Sequence, residues 1–380
     1  VILALLPTVM ITSRQMMIGR VMRKGGSGEG SVDAGNEVKR REFLMRMAAG
    51  VSGAVAMSAG LSPFFSSART ALAADGELRF EHVYGETVLS KPAERVVSLG
   101  YNVHDALLAL DVVPVGIRQW FGNQPYGVWP WAQSRLGDAK PQLISGEVSM
   151  EVVASLQPDL IVAAGAGISK NEYDVLSQIA PVLMQPKDRP AYGTTWDELA
   201  RMVGKAVGKT ELAEKRIAEV DAKFQSVRAA HPEWSGMTAV CAYNFGGETG
   251  AFIGSDTRAT FLAELGFKPP LKIQSLSETQ GFYARLSPED LSPLDADLLI
   301  WVSTTDKVPD IQALPLRRTL RAHIEGREVF AGEVMAAALS FGSILSLPYA
   351  LDGLKDDIVL ALDGDPKTPV ASSTAAGLAP

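Results

Sequence analysis

One cysteine, Cys241, and four histidines, His82, His104, His231 and His323, are all that 380 residues offer of those two types. A lone thiol cannot form an internal disulfide, a cysteine-based zinc site or an iron–sulfur ligand set. No two histidines stand at i,i+4 or H-x-H spacing, so a metal cage built from side chains has no basis in the sequence. Cys241 sits inside a strand-like run and reads as a small buried hydrophobe. His231 before Pro232 reads as a helix end, and His104 either faces a cleft or caps the helix it opens. A G-x-S-x-G nucleophile elbow is absent. Positive charge is also short: 36 Lys+Arg face 43 Asp+Glu, for a net −7, which excludes a broad cationic surface for nucleic acid. That charge is unevenly spread, +5 over residues 1–73 and −12 over residues 74–380. What the chain does have is 47% hydrophobic residues and 21% charged ones, which excludes disorder as the main state, in a length suited to two domains.

The N-terminal segment reads as an address label. Arg40-Arg41 precedes Phe43-Leu44, a weakly apolar Ala/Gly/Ser stretch runs from Met47 to Phe65, and Ala71-Leu72-Ala73 is an A-x-A cleavage pattern. Together they form a twin-arginine (Tat) signal peptide over 39–73. Gly50, Gly53, Gly60 and Pro63 make the stretch a poor membrane-spanning helix. Residues 1–38 open on Val and contain Met10, Met16, Met17 and Met22, and part of this segment is read as untranslated. No cysteine follows the apolar stretch, so a lipid anchor is not expected, and a soluble periplasmic monomer is.

From residue 77 the chain alternates short apolar runs with amphipathic ones, the grammar of an α/β fold. Strands are expected at Arg95–Leu99, Val113–Ile117, Asp159–Ala164, Val182–Gln185, Thr238–Tyr243, Asp297–Val302 and Glu328–Phe330. Helices are expected at Asn102–Leu110 and Lys170–Ile179. An internal repeat points to two lobes. The Ser149, Glu151, Leu156, Asp159, Leu160 series matches Ser287, Glu289, Leu294, Asp297, Leu298 at a constant offset of 138. The expected unit is a Ser-capped short helix, a turn, and a buried strand reached through Asp. Between the halves, Thr195–His231 is helical in pattern, broken at Gly208-Lys209-Thr210, with Thr210 as the cap of a second helix. The resulting boundaries are an N-terminal α/β lobe at 77–207, a bridging helix at 208–233, a C-terminal α/β lobe at 237–363 and a disordered Pro/Ala/Ser/Thr-rich tail at 364–380.

Gly208-Lys209-Thr210 lacks the first glycine of a phosphate loop and stands in a helical context, so it reads as a turn. Gly165-Ala166-Gly167 follows a strand, but Lys170 holds the third glycine position of a dinucleotide fingerprint, so it reads as a strand-to-helix turn beside a cleft. Arginines and aromatics at strand ends are the richer signal. Ligands of parallel α/β sheets bind beyond the carboxyl ends of the strands. Those ends offer Tyr101, then Arg118, Trp120 and Phe121, then Trp129-Pro130-Trp131, then Arg189 and Tyr192. The second half adds Tyr243, Arg258, Tyr283, Arg285 and Phe341. Arginine brings permanent charge and planar donors, and aromatics bring flat contact area, a set suited to an anionic, partly aromatic ligand.

The runs Glu94-Arg95-Val96-Val97-Ser98-Leu99, Asp159-Leu160-Ile161-Val162, Glu172-Tyr173 through Ala180-Pro181-Val182, and Leu286-Ser287-Pro288-Glu289 carry a resemblance. In that order the chain resembles the iron–siderophore substrate-binding proteins of ABC importers, in particular the ferric-citrate and ferric-enterobactin branch. The likeness extends from about Glu77 to Asp363. It implies two Rossmann-like α/β lobes joined by one long α-helix that limits closure, with the ligand cleft between them. It implies capture of a ferric siderophore whose iron is already chelated, with no catalytic residue, resident cofactor or protein metal site. It further implies that Tyr101, Arg118, Trp120, Tyr192, Tyr243, Arg258, Tyr283, Arg285 and Phe341 line the cleft. Glu151 and Glu289 would dock on the ABC permease. Cobalamin or haem is the alternative ligand of the same fold. A Tat-exported cofactor-dependent enzyme is the alternative of another class, weakened by the missing phosphate loop, full dinucleotide fingerprint and metal cluster.

Overall fold

The computed structural model describes residues 76–380. The expected twin-arginine signal, the cleavage site expected with it and the segment upstream lie outside the described residues. A hairpin comes first, β1 (Leu78–His82) against β2 (Gly85–Leu89), pairing Leu78 with Leu89. Alternate residues Phe80, His82, Thr87 and Leu89 are buried, the period of a one-sided strand. The sequence reading did not anticipate this hairpin.

The first lobe follows. Its sheet contains β3 (Val96–Ser98), β4 (Gly116–Arg118), β5 (Gln142–Ile144), β6 (Leu160–Val162) and β7 (Val182–Leu183). The order is β5-β4-β3-β6-β7 and every pair is parallel. Central strands covered on both faces must be apolar throughout, and all residues of β3 and β6 are buried. The chain leaves β3 toward one side and β6 toward the other, which creates a crevice beyond their carboxyl ends. Gly100 lies in that crevice, where a Cβ would come within 1.9 Å of the Ala164 carbonyl oxygen.

The second lobe has a mixed sheet of order β10-β9-β8-β11-β12. Here β8 (Ala239–Phe245), β9 (Glu248–Phe252) and β10 (Tyr283–Leu286) form an antiparallel meander. β11 (Leu298–Trp301) and β12 (Glu328–Phe330) continue in parallel from β8. The expected strands are present with ends shifted by a few residues, and β5, β9 and β10 are additional.

A helix at Trp196–Ala206 opens with a capping box, Thr195 and Glu198 each holding the other's backbone N–H. Gly208, at φ +67°, makes the turn expected of the Gly-Lys-Thr run. The helix Thr210–Ala230 then runs for 21 residues, about 30 Å. Its cap is Lys209, without a side-chain hydrogen bond, so Thr210 is the first helical residue and not the cap that was expected. Ile217, Val220, Phe224 and Val227 face inward. They join one continuous apolar cluster that includes Leu108, Ile117, Phe121, Trp129 and Trp131 of the first lobe and Cys241, Tyr243, Phe261 and Phe341 of the second. The lobes therefore share a core in addition to the connecting helix. Separating them would expose buried apolar area at roughly 25 cal/mol per Å².

The repeat survives in part. Ser149 caps Met150–Ser155 by accepting from the Val152 N–H, as expected. Ser287 accepts from the Glu289 N–H, but a turn and the short 3₁₀ segment Ser292–Leu294 follow instead of a helix. Pro293 has no N–H to give to the preceding turn, which explains the difference. Both aspartates act alike: Asp159 accepts from the N–H groups of Glu94 and Arg95, and Asp297 from the N–H and hydroxyl of Thr238. Each fastens one strand entrance to its neighbour.

The tail at 364–380 is not disordered. It forms the helix Ala371–Ala375 and buries Val370 and Leu378. Ser373 donates to the Glu328 carbonyl, Gln312 to those of Ala376 and Gly377, and Arg317 to that of Leu378. Low-complexity composition was a poor guide because backbone carbonyls, which every residue has, hold the tail. Among the described residues no helix is long and apolar enough to cross a membrane.

Candidate ligand-binding cleft

Tyr101, just beyond β3, touches two of the other candidates. The Arg118 guanidinium lies 4.9 Å from its ring centroid, and the Trp120 indole stacks against it at 5.2 Å and 20°. Parallel pairing of β3 with β4 brings these ends together. Arg118 is held by its Nη1, which donates to the Ala166 carbonyl at 3.0 Å, and more loosely by Nη2 to Gly146 at 3.5 Å. The turn expected at Gly165-Ala166-Gly167 thus supplies an acceptor, and both its glycines have φ near +70°. Among the described residues no carboxylate pairs with Arg118, and its Nε has no partner. Tyr192 leans over Gly167, 41% exposed. Burial and the neighbouring Tyr101 push its phenol up, while Arg118 pulls it down. Tyr101, Arg118, Trp120 and Tyr192 are therefore one cluster.

The second lobe's candidates divide. Tyr283 is half-buried and Arg285 exposed on β10, on the same side as the shared core that Trp120 and Phe245 also touch. Arg285 pairs with Glu248 at 3.0 Å, and the Tyr243 hydroxyl donates to the same carboxylate at 3.1 Å. Tyr243 itself is buried, and that burial raises its phenol pKa. Arg258 was expected to line the cleft but is 6% exposed. Its Nε and Nη2 grip both oxygens of Asp256, its Nη1 donates to Ser340, and its guanidinium lies 3.7 Å over Phe252. Phe341 was expected as a wall and is buried beneath the cleft, with Trp129 and Trp131. A ring wholly enclosed by other rings contributes packing, not ligand contact.

His104 caps nothing. It is 1% exposed, neither ring nitrogen has a hydrogen-bond partner among the described residues, and its edge meets Phe341. Its Nε2 is 3.6 Å from a carboxylate oxygen of Asp105. Asp105 is fully buried and accepts from Trp131 Nε1 at 2.8 Å and from the Ser343 hydroxyl of the other lobe. Asn102 makes a second crossing, donating from Nδ2 to the Phe341 carbonyl. Burial lowers the His104 pKa below 6.5 and raises that of Asp105. With a depressed histidine pKa the unfolded chain binds more protons, so this contribution to stability is complete above pH 6.5 and is lost progressively as pH falls from 6.5 to the lower folded value. His104→Gln is therefore expected to be less sensitive to acid between about pH 6.5 and 5 than the parent. Paired urea titrations check this, since buried His82, shifted the same way, is common to both proteins. An unchanged pH slope would remove His104 from the account.

Asn102, Asp105, Glu248 and Asp256 were missed by sequence reading. Only Asp256, two residues before Arg258, could have been suspected as its partner from spacing. Among the described residues no group of three His, Cys, Asp or Glu is placed to hold a metal ion. Cys241 is buried and its thiol is pushed up by burial.

The sequence profile described as periplasmic binding protein matches residues 96–331. The ferric-anguibactin-binding protein FatB of Vibrio anguillarum is 27% identical over 72% of this chain and 85% of its own. The Fe(3+) dicitrate-binding periplasmic protein FecB of Escherichia coli is 32% identical over 36% of this chain and 44% of its own. A crystal structure of a periplasmic solute binding protein from Mycobacterium smegmatis superposes with a TM-score of 0.68 at 33% identity, covering 76% of this chain and all of that one.

Proposed function

Because the chain belongs to the periplasmic binding protein family, we propose that it captures a ferric siderophore in the cleft and delivers it to an ABC importer. One observation carries the reading: the half-open cluster of Tyr101, Arg118, Trp120 and Tyr192 at the strand-end crevice where α/β sheets hold ligands. FatB and FecB, by their names, bind ferric chelates. Tyr283 and Arg285 face the cluster as the opposing wall in this reading, while Tyr243, Arg258 and Phe341 support it from within. A chelate brings its own iron ligands, so a protein surface of rings and hydroxyls suffices. Lobes at 77–207 and 237–363 would move little about the helix between them. Export by the twin-arginine route through Arg40-Arg41 and work as a free monomer complete the proposal.

Tryptophan fluorescence tests it. A ferric siderophore is expected to quench Trp120 saturably, with a ferric salt, cobalamin and haem as controls. Absence of quenching by every ferric chelate at micromolar concentration contradicts the reading, and selective quenching by cobalamin or haem transfers it to that ligand.

Docking is a separate matter. Glu151, in the first turn of its helix, and Glu289, in the equivalent turn of the repeat, are both exposed. Glu151→Ala and Glu289→Ala together are expected to leave chelate affinity within about twofold and to cut uptake by about tenfold or more, since an unpaired docking contact affects only the assembled importer. Reduced binding with unaltered uptake per bound chelate would place them elsewhere.

A further inference from the structure

We infer that the cleft favours a ferric chelate of low net charge over a multiply anionic one, because the protein neutralises its own arginines there. This rests on the ferric-chelate reading and narrows it. The acidic chain, −12 over residues 74–380, would need uncommitted cationic charge in the cleft to attract a polyanion. Arg118 is the cation without a carboxylate partner among the described residues considered for the cleft. Arg285 is matched by Glu248, and Arg258 is matched by Asp256 and enclosed. Lys307, whose ammonium lies 5.5 Å from the Phe245 ring centroid, is matched by Asp306 at 3.2 Å. The sum at this rim is about one positive charge.

A polyanion would also meet Glu248, whose carboxylate is one-third exposed. To use Arg285 it would have to displace that carboxylate, leaving Glu248 beside the buried Tyr243 with its charge partner lost. Neutral donors are plentiful instead. Among the described residues the hydroxyls of Tyr101, Tyr192 and Tyr283 make no hydrogen bond. Phenol hydroxyls and stacked rings suit uncharged carbonyl-type oxygens and flat apolar groups, and they do not depend on ligand charge. Arg118 then supplies a single charge-assisted contact.

The test is a titration of the protein, followed by tryptophan fluorescence, with a neutral ferric trihydroxamate, ferric citrate and a trianionic ferric tricatecholate. The trihydroxamate is expected to bind about 10-fold or more tightly than the tricatecholate. Glu248→Gln keeps an acceptor for Tyr243 and frees Arg285, and should narrow that ratio about 10-fold, with an unshifted melting curve showing that the variant is folded. A wild-type preference for the tricatecholate overturns the inference and leaves the ferric-chelate reading intact. So does a ratio unmoved by Glu248→Gln in the folded variant. Binding of none of the three overturns the reading itself and the inference with it.

Discussion

Phe341→Ala is expected to destabilise the protein by about 3–5 kcal/mol, the range for removing a large aromatic side chain from a packed core. Phe341 comes from the second lobe, yet the rings of His104, Trp120, Phe121, Trp129 and Trp131 from the first surround it. Their centroids lie between 5.2 and 6.2 Å away, mostly edge to face, the arrangement that the ring quadrupoles favour. Alanine would leave a cavity between the lobes, and five rings held by their own neighbours have little freedom to collapse into it. Trp129 and Trp131 stack on each other at 5.4 Å, and Trp131 is tied to Asp105. Urea unfolding measures the loss. Phe341→Leu should lose less than half as much, because most of the volume remains. A loss below about 1 kcal/mol for the alanine variant would mean that the lobes are joined chiefly elsewhere. The Asn102 contact is to the backbone at residue 341, so either substitution preserves it.

Glu328→Ala is expected to cost a similar amount, about 3–5 kcal/mol, for an electrostatic reason. Glu328 and Arg317 are each 2% exposed. The carboxylate accepts from Arg317 Nε at 2.9 Å and Nη2 at 2.8 Å, from Trp301 Nε1 at 2.7 Å, and lies 2.7 Å from His323 Nδ1. Without it a buried guanidinium is left uncompensated, and the indole N–H loses its acceptor. Arg317 also holds the Leu378 carbonyl, so the packed tail should become susceptible to protease in the same variant. The paired change Arg317→Met with Glu328→Leu removes both charges and should restore much of the loss, since a buried ion pair often contributes no more than apolar residues of its size. If Glu328→Ala alone is harmless, the cluster does not hold the tail.

The fold was more legible than the site, and particular residues show why. β3, β6 and β11 are short, largely apolar runs buried on both faces, and such runs announce themselves. β9 and β10 carry Gly250, Arg285 and other residues that signal no strand alone, and they exist because they pair with β8. The aspartates of the repeat could be found because they do the same backbone work twice. The cleft cluster was partly legible, since strand ends place Tyr101, Arg118 and Trp120 together once β3 and β4 are taken as parallel neighbours. Charge was not legible. Arg285 and Glu248 are 37 positions apart, and only the meander of β8, β9 and β10 brings them together. Of Arg118, Arg258 and Arg285, all expected to line the cleft, only Arg118 has no carboxylate partner among the described residues. Phe341, read as a wall, is a floor, because the sequence does not say which face of the helix Gly332–Phe341 meets the other lobe.

The central claim is that the cleft holds iron only as a preformed chelate. Native mass spectrometry of the protein mixed with preformed ferric siderophores tests it most directly. The account predicts one adduct per chain, with the mass of iron and siderophore together, and no adduct from ferric salt alone. Retention of bare iron, or of no ferric siderophore at all by folded protein, would contradict it.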